Sequence, residues 1–298
     1  MSNILNFADL RPAPKYPLYP GNYVNPDEYL EQYFFKYFVD NILNKNVKLS
    51  RKYLPIWWTN LAVDNHNIDI QKYINSLNWN DKWFTVCQLD DGVRYHLPPD
   101  TIVFHAGGNS GNGQLVPIPL IASPIPEHLK SSTPKKTNIF ASFVGTYTHP
   151  VRTEIYNSLK SNNAYYFNTP RNWSQTVSDE ELDEFIKITE QSLFCLAPAG
   201  YGNSSFRLYQ AFELGAIPVY ISDRPHWLPW KNELNWDELC VIVNRVDIPH
   251  IHDILIKKTL NVDEMLNMKR QITEKYSEYF SLEGVSKKIT QLVEVAQY

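Results

Sequence analysis

Read for pattern, the sequence specifies an α/β protein made of two doubly wound sheets that face a cleft. Three observations carry this. Short apolar, β-branched runs alternate with helical stretches, the pattern of parallel sheets covered on both faces. The alternation falls into two blocks parted by PIPEHLKSSTPKKT (Pro124 to Thr137), a linker rich in Pro, Ser and Lys. At 298 residues, 43% hydrophobic and 20% charged, the chain is long enough for two ordinary cores. The expected division is an N-terminal Rossmann-like domain over 1–130, joined by a C-terminal helix over 282–298, and a second domain over 136–281.

Taken in order, NPDEYLEQYFFKYFVDNILN (Asn25 to Asn44) has the periodicity of an amphipathic helix. The first block then offers YLPIWWTN (Tyr53 to Asn60) as a strand and IDIQKYINSL (Ile68 to Leu77) as a helix. KWFTVCQL (Lys82 to Leu89), TIVFHA (Thr101 to Ala106) and VPIPLI (Val116 to Ile121) follow as strands. In the second block NIFASFVG (Asn138 to Gly145) is a strand, and HPVRTEIYNSLKS opens a helix with Pro150 suited to its first position. AYYFN (Ala164 to Asn168) is a strand. SDEELDEFIKITEQ (Ser178 to Gln191) is a helix with a capping box from Ser178 to Glu181.

SLFCLAPAGYGNSSFRLYQAFELGAIPVYISD (Ser192 to Asp223) reads as strand, loop, helix and strand. Ser192 to Ala197 is apolar, Pro198 and Gly200 to Asn203 break it, and Ser204 or Ser205 caps a helix that stops at Gly215. AIPVYIS resumes as a buried strand. LCVIVNR (Leu239 to Arg245) adds one more, and helices around Val262 to Phe280 and Leu282 to Ala296 complete the chain.

Composition excludes several functions. A net charge of −4 gives no general attraction to nucleic acid or membrane, and no basic nucleic-acid module is present. No signal-peptide layout and no run of about 18 apolar residues is found, so no transmembrane segment is expected. The three cysteines, Cys87, Cys195 and Cys240, all fall in predicted strands and read as buried thiols of a reducing, cytoplasmic compartment. NWS at Asn172 and NSS at Asn203 match the glycosylation pattern by chance on this reading. The 19 Tyr and 8 Trp fill cores in the main, although aromatic faces also pack on sugar C–H faces.

The charges of the second block pose a question. Arg207 falls in the opening turn of its helix, where the helix dipole already presents positive charge, and Arg152 repeats the placement after FVGTYTHP. A diphosphate between the two helix tips would satisfy backbone N–H groups and both guanidinium forks. The alternative is that each arginine pairs with a nearby carboxylate, Glu154 in the case of Arg152.

With FVGTYTHPVR, the stretch from Ser192 to Asp223 resembles the donor-binding half of exostosin-like glycosyltransferases, glycosyltransferase family 47. The likeness covers Ile139 to Pro229 and extends more weakly to YLPIWWTN, WFTVCQLDDG and VPIPLI. It implies a GT-B fold, with an acceptor-side domain first and a donor-binding domain second. It also implies transfer of a sugar from a nucleotide sugar, usually a UDP-sugar, to a glycan or glycoconjugate, with inversion at the anomeric carbon. Carried onto this chain, Arg207 matches the family arginine that contacts the donor diphosphate, and Arg152 matches the upstream basic residue. Gly145 and Gly200 lie in the two loops. Ser204 and Ser205 sit where hydroxyls and amides would meet phosphate oxygens. Gln210 departs from the family's usual ribose-binding glutamate, which keeps open a second reading: an inactive relative that binds a nucleotide sugar or supports a partner. Glu213, one turn on, reads as a surface or structural residue. A third reading is a GT-B sugar-nucleotide epimerase.

Inverting transfer needs a stabilised leaving group and a base for the acceptor hydroxyl. No Asp-x-Asp and no metal-ligand spacing occurs in the chain, so a metal-independent reaction is expected, with the nucleotide sugar as co-substrate and no cofactor. For the base, CQLDDG places Asp90 and Asp91 at the carboxyl end of a strand. Adjacent side chains diverge, so one enters the site, with Asp91 slightly favoured; the alternative is that both cap a surface turn. Asp64 and His66 are the next candidates. His105 ends a strand and reads as a buried, satisfied histidine, and AGGNSGNG after it reads as an acceptor-side rim. Trp227 and Trp230, in DRPHWLPW, either flank the nucleotide or sugar or pack beneath the loop.

Overall fold

Trp83–Cys87, buried at every position, is a central strand of the first sheet. This computed structural model describes residues 10–12, 30–63, 68–121, 124–131, 136–169 and 178–294. The sheet runs β1 (Lys52–Tyr53), β2 (Trp83–Cys87), β3 (Ile102–His105) and β4 (Gln114–Pro117), in that spatial order and all parallel. Three helices attend it: α1 (Leu30–Phe38, continued by a π-helical turn over Val39–Leu43), α2 (Trp58–Val63) and α3 (Ile70–Asn75).

The aromatic content finds its place here. Phe34 and Phe38 of α1 pack on Tyr53 at 5.1 and 4.8 Å between ring centroids, and Tyr53 stacks on Phe84 at 5.1 Å. Each such side chain, fully buried, contributes roughly 1.5–3 kcal/mol by removal of apolar area from water. Glu31, buried beside this cluster, accepts from Thr59 N, Thr59 Oγ1 and Gln88 N, tying α1 to the end of β2. Burial pushes its carboxyl up to about 7, against those hydrogen bonds.

The strand expected over Tyr53 to Asn60 is not formed. Pairing ends at Leu54, whose N–H donates to Phe84 O; Pro55 follows, and Ile56 N turns back to Leu54 O. Trp58 then opens α2 instead. The strand expected over Val116 to Ile121 is shifted toward the N-terminus, to Gln114–Pro117.

The second sheet contains β5 (Ile139–Val144), β6 (Tyr165–Asn168), β7 (Ser192–Pro198), β8 (Ile217–Ser222) and β9 (Val241–Asn244) in the order β6-β5-β7-β8-β9, again all parallel. Its helices are α4 (Pro150–Leu159), α5 (Asp179–Glu190), α6 (Phe206–Glu213), α7 (Ile251–Thr259), α8 (Val262–Tyr279) and α9 (Leu282–Val293). Ser178 and Glu181 form the expected capping box on α5. Helix α7 and the 3-10 stretch before it, Arg245–His250, had no sequence assignment; Pro249 interrupts the periodicity there.

Two α/β sheets with parallel strands therefore stand as expected. One apolar cluster runs through both, joining Phe104 and Ile118 to Leu208, Phe212 and Tyr220. Helix α9 returns to the first sheet, where Val293 O accepts from Ser50 N at 2.8 Å. Ile125 and Lys130, in the stretch between the two sheets, are anchored to α6: Glu213 accepts from Ile125 N at 2.7 Å and pairs with Lys130 at 3.1 Å. That is the structural duty expected of Glu213. Cys87, Cys195 and Cys240 are all buried free thiols, although Cys240 precedes β9 and is not within it. Among the described residues no helix is long and apolar enough to cross a membrane.

Candidate active site

The second sheet reverses its direction of winding between β5 and β7, so a crevice opens beyond the carboxyl ends of those two strands. Helices α4 and α6 begin there. His149 caps α4 with its side chain and Ser205 occupies the N-cap position of α6, which puts Arg152 and Arg207 in the first turns of the two helices.

Each arginine reaches across the reversal to the other strand. Arg152, which follows β5, donates to Ala199 O at 3.2 Å and Pro198 O at 3.4 Å beside the end of β7, and to Thr146 O at 2.7 Å. Arg207, which follows β7, donates from Nε to Val144 O of β5 at 2.7 Å and lies 4.2 Å over the Phe185 ring. It also bonds Gln210 Oε1. Among the described residues no carboxylate lies within ion-pair distance of Arg152. Glu154, the partner considered from sequence, binds Arg245 instead. Burial and then the nearby Arg207 bring the Arg152 guanidinium down to about 10, with Asp90 opposing. A desolvated Arg152 at one helix tip, with Arg207 at the other, makes a site that gains from an anion.

The loop between β7 and α6 fits closely around these groups. A Cβ on Gly200 would stand 2.6 Å from the Arg152 NH2 nitrogen, so the guanidinium can lie there only against a glycine. Gly145 follows β5 and donates its N–H to Asn168 O. Ser205 makes no capping bond with its hydroxyl, which stays available. Ser204 differs from expectation: its amide is spent on Gly107 O of the first sheet's loops, and its hydroxyl is buried beside Tyr209. Gln210 is buried on the Arg207 face of α6. Asn203 is buried and holds Pro225 O, Tyr220 and Ser222, so in the fold it serves as a loop staple.

The loops after β2 and β3 meet this crevice. Asp90 and Asp91 diverge, as adjacent residues do. Asp91 is held outward by Arg94, by Asn109 Nδ2 at 3.3 Å and by Tyr201 OH at 3.0 Å. Asp90 lies inward. Its carboxylate accepts no hydrogen bond among the described residues, and a Cβ on Gly202 would stand 2.2 Å from its Oδ1. Burial first and Asp91 second raise its carboxyl to about 7, while Arg224 and Arg152 pull it down. Of the two candidates, Asp91 has its carboxylate engaged by neighbours and Asp90 does not.

Arg224 was not singled out in the sequence. It donates to Gly200 O at 3.1 Å, Gly202 O and Tyr201 O at 3.2 Å, and to Asn109 Oδ1 of the first sheet's loops at 2.5 Å. Its position two residues beyond the strand ending in Ser222 was the available signal. His105 is buried and its Nε2 bonds Leu89 O at 2.8 Å, but its Nδ1 has no hydrogen-bond partner among the described residues, so it is only half satisfied; burial lowers its proton affinity. Trp227 donates to His105 O at 3.0 Å and Trp230 to Tyr279 O at 3.2 Å, so both pack between elements. Asp64, His66 and Asn172 lie outside the described residues. Among the described residues no group of three or more His, Cys, Asp or Glu side chains is placed to hold a metal ion.

Comparison with known proteins follows the same region. The Exostosin GT47 domain matches residues 96–258. A probable glucuronosyltransferase of Oryza sativa subsp. japonica is 29% identical over 126 residues, 42% of this chain and 26% of that one. A probable glucuronosyltransferase of Physcomitrium patens is 30% identical over 151 residues, covering 47% and 30%. A probable β-1,4-xylosyltransferase of Arabidopsis thaliana is 28% identical over 111 residues, covering 37% and 24%. The chain thus spans about a quarter to a third of the length of these relatives. Among solved structures, TarM aligns over 74% of this chain and 52% of its own, at a TM-score of 0.43 and 11% identity.

Proposed function

The chain belongs to the exostosin GT47 family, and from that premise we propose that it is an inverting glycosyltransferase of GT-B type. In this reading it moves a sugar from a UDP-sugar to a hydroxyl of a glycan or glycoconjugate, without a metal, in the cytoplasm. The observation that carries the reading is the crossed pair Arg152 and Arg207 at the two helix tips beside β5 and β7. The second domain, over 136–281, would hold the donor. The first, over 1–130 with α9, would present the acceptor.

The chemistry follows from charge. The acceptor oxygen attacks the anomeric carbon while the bond from that carbon to the β-phosphate oxygen breaks. Negative charge develops on the departing diphosphate. Arg152, Arg207 and the hydroxyl of Ser205, which makes no capping bond, would meet that charge. The acceptor proton passes to Asp90, whose carboxyl near 7 is matched to general-base work at neutral pH. Attack from the face opposite the leaving group inverts the anomeric centre.

One observation favours a second reading, a relative that binds the nucleotide sugar without turning it over. Gln210 stands where the family resemblance implies a ribose-binding glutamate, and its side chain is engaged by Arg207. Incubation with UDP-glucuronic acid, UDP-xylose and other UDP- and GDP-sugars, with and without oligosaccharide acceptors and with and without chelator, separates the readings. Acceptor-dependent UDP release that survives chelator supports transfer. Donor binding without release supports the second reading, and loss of release with chelator overturns the metal-free mechanism.

A further inference from the structure

The residue between Gly200 and Gly202 is Tyr201, and its surroundings are unusual for an exposed ring. Gly200 lies against Arg152 and Gly202 against Asp90, so Tyr201 projects from the point where the two functional groups come together. Its residue is 58% exposed, although both its ends are fixed. The phenol donates to Asp91 Oδ2 of the first sheet's loops at 3.0 Å, and the main-chain carbonyl accepts from Arg224 at 3.2 Å. Arg224 also grips the carbonyls on either side. A large ring is thus held still above the crevice, with much of its surface in water.

We propose that Tyr201 is the stacking platform of an acceptor subsite that takes a pyranose ring; the proposal rests on the glycosyl-transfer reading above. A pyranose with equatorial substituents carries its axial C–H bonds on two flat faces, and such a face packs on an aromatic ring. A peptide hydroxyl or a furanose offers no comparable face. The ordering cost of the platform is met in the free protein by the Asp91 and Arg224 contacts, which favours binding. Polar groups for the sugar's hydroxyls lie on the same rim: Asn109, bonded to both Asp91 and Arg224, and the exposed guanidinium of Arg94. A ring stacked on Tyr201 would lie beside the loop whose Gly202 packs on Asp90, where a hydroxyl proton is to be removed. The subsite therefore favours glycan ends that present a flat pyranose face as acceptors.

Saturation-transfer NMR on the full chain tests this, with xylotetraose and cellotetraose as probes and UDP as a separate probe. At least one tetrasaccharide is expected to bind the unsubstituted protein. Tyr201→Ala should weaken that binding about tenfold or more, whereas Tyr201→Phe and Tyr201→Trp, which keep an aromatic face but lose the Asp91 contact, should stay within about threefold. UDP binding should stay within about twofold in all three variants. The thermal midpoint of Tyr201→Ala should be unchanged, since the ring is exposed. Tetrasaccharide binding by Tyr201→Ala equal to that of the unsubstituted protein would overturn the proposal. So would a protein that binds UDP and neither tetrasaccharide. Tetrasaccharide binding through Tyr201 in a protein that fails to bind UDP would leave the subsite standing and overturn the transfer reading.

Discussion

Gly202 and Asp90 come from different sheets and touch: a Cβ on the glycine would stand 2.2 Å from Oδ1 of the aspartate and 2.8 Å from Gly107 O. The contact fixes where the carboxylate can lie. Gly202→Ala is therefore expected to displace Asp90 and to lower turnover about 100-fold. Overpacking should cost about 1–3 kcal/mol of stability. UDP affinity should change little, because Arg152 and Arg207 are untouched. Steady-state kinetics beside UDP titration checks this, and equal losses in both would show that Gly202 serves the loop as a whole.

Asp90→Asn separates catalysis from stability. Removing the base should cost about 100- to 10,000-fold in turnover. Its effect on the fold has the opposite sign. A carboxyl raised from its ordinary value of 3.8 to about 7 binds a proton in the native state that the unfolded chain has lost, so stability falls as pH climbs through that window. The neutral amide escapes this penalty. At pH 8 the variant should melt at least about 2 °C higher than the unsubstituted protein, and at pH 4 the gap should close. In the unsubstituted enzyme kcat/KM should rise with pH through about 7.

Much of this site was legible in the sequence because helix starts and strand ends have local signatures. Pro150, Ser205 and Gly215 mark the bounds of α4 and α6, and an arginine in a first helical turn is an electrostatic anomaly wherever it occurs. What was not legible depends on contacts between distant segments. YLPIWWTN has the composition of a strand, yet Pro55 ends its pairing. Asp90 and Asp91 are identical in type, and only the loops carrying Tyr201, Gly202 and Asn109 decide which is spent. Arg224 shows its role only when the carbonyls of residues 200–202 are brought to it.

Arg224→Met should loosen that loop and lower kcat about 10- to 100-fold, through the loss of four hydrogen bonds at the crevice. Because Arg224 pulls the Asp90 carboxyl down, alongside Arg152 and against Asp91, its removal should also move the rising limb of the pH profile upward from about 7. Arg224→Lys should return the limb while recovering only part of kcat, since an ammonium restores the charge and not the guanidinium fork. An unmoved limb in Arg224→Met would leave Arg224 with no electrostatic role.

The proposed reaction requires a diphosphate seated between Arg152 and Arg207. Calorimetric titration with UDP and with uridine, on the unsubstituted chain and on Arg152→Ala and Arg207→Ala, tests it most directly. UDP should bind, uridine should bind at least about tenfold more weakly, and either substitution should remove the difference while the protein stays folded. Equal affinity for UDP and uridine, or UDP binding unchanged in both variants, would contradict the account.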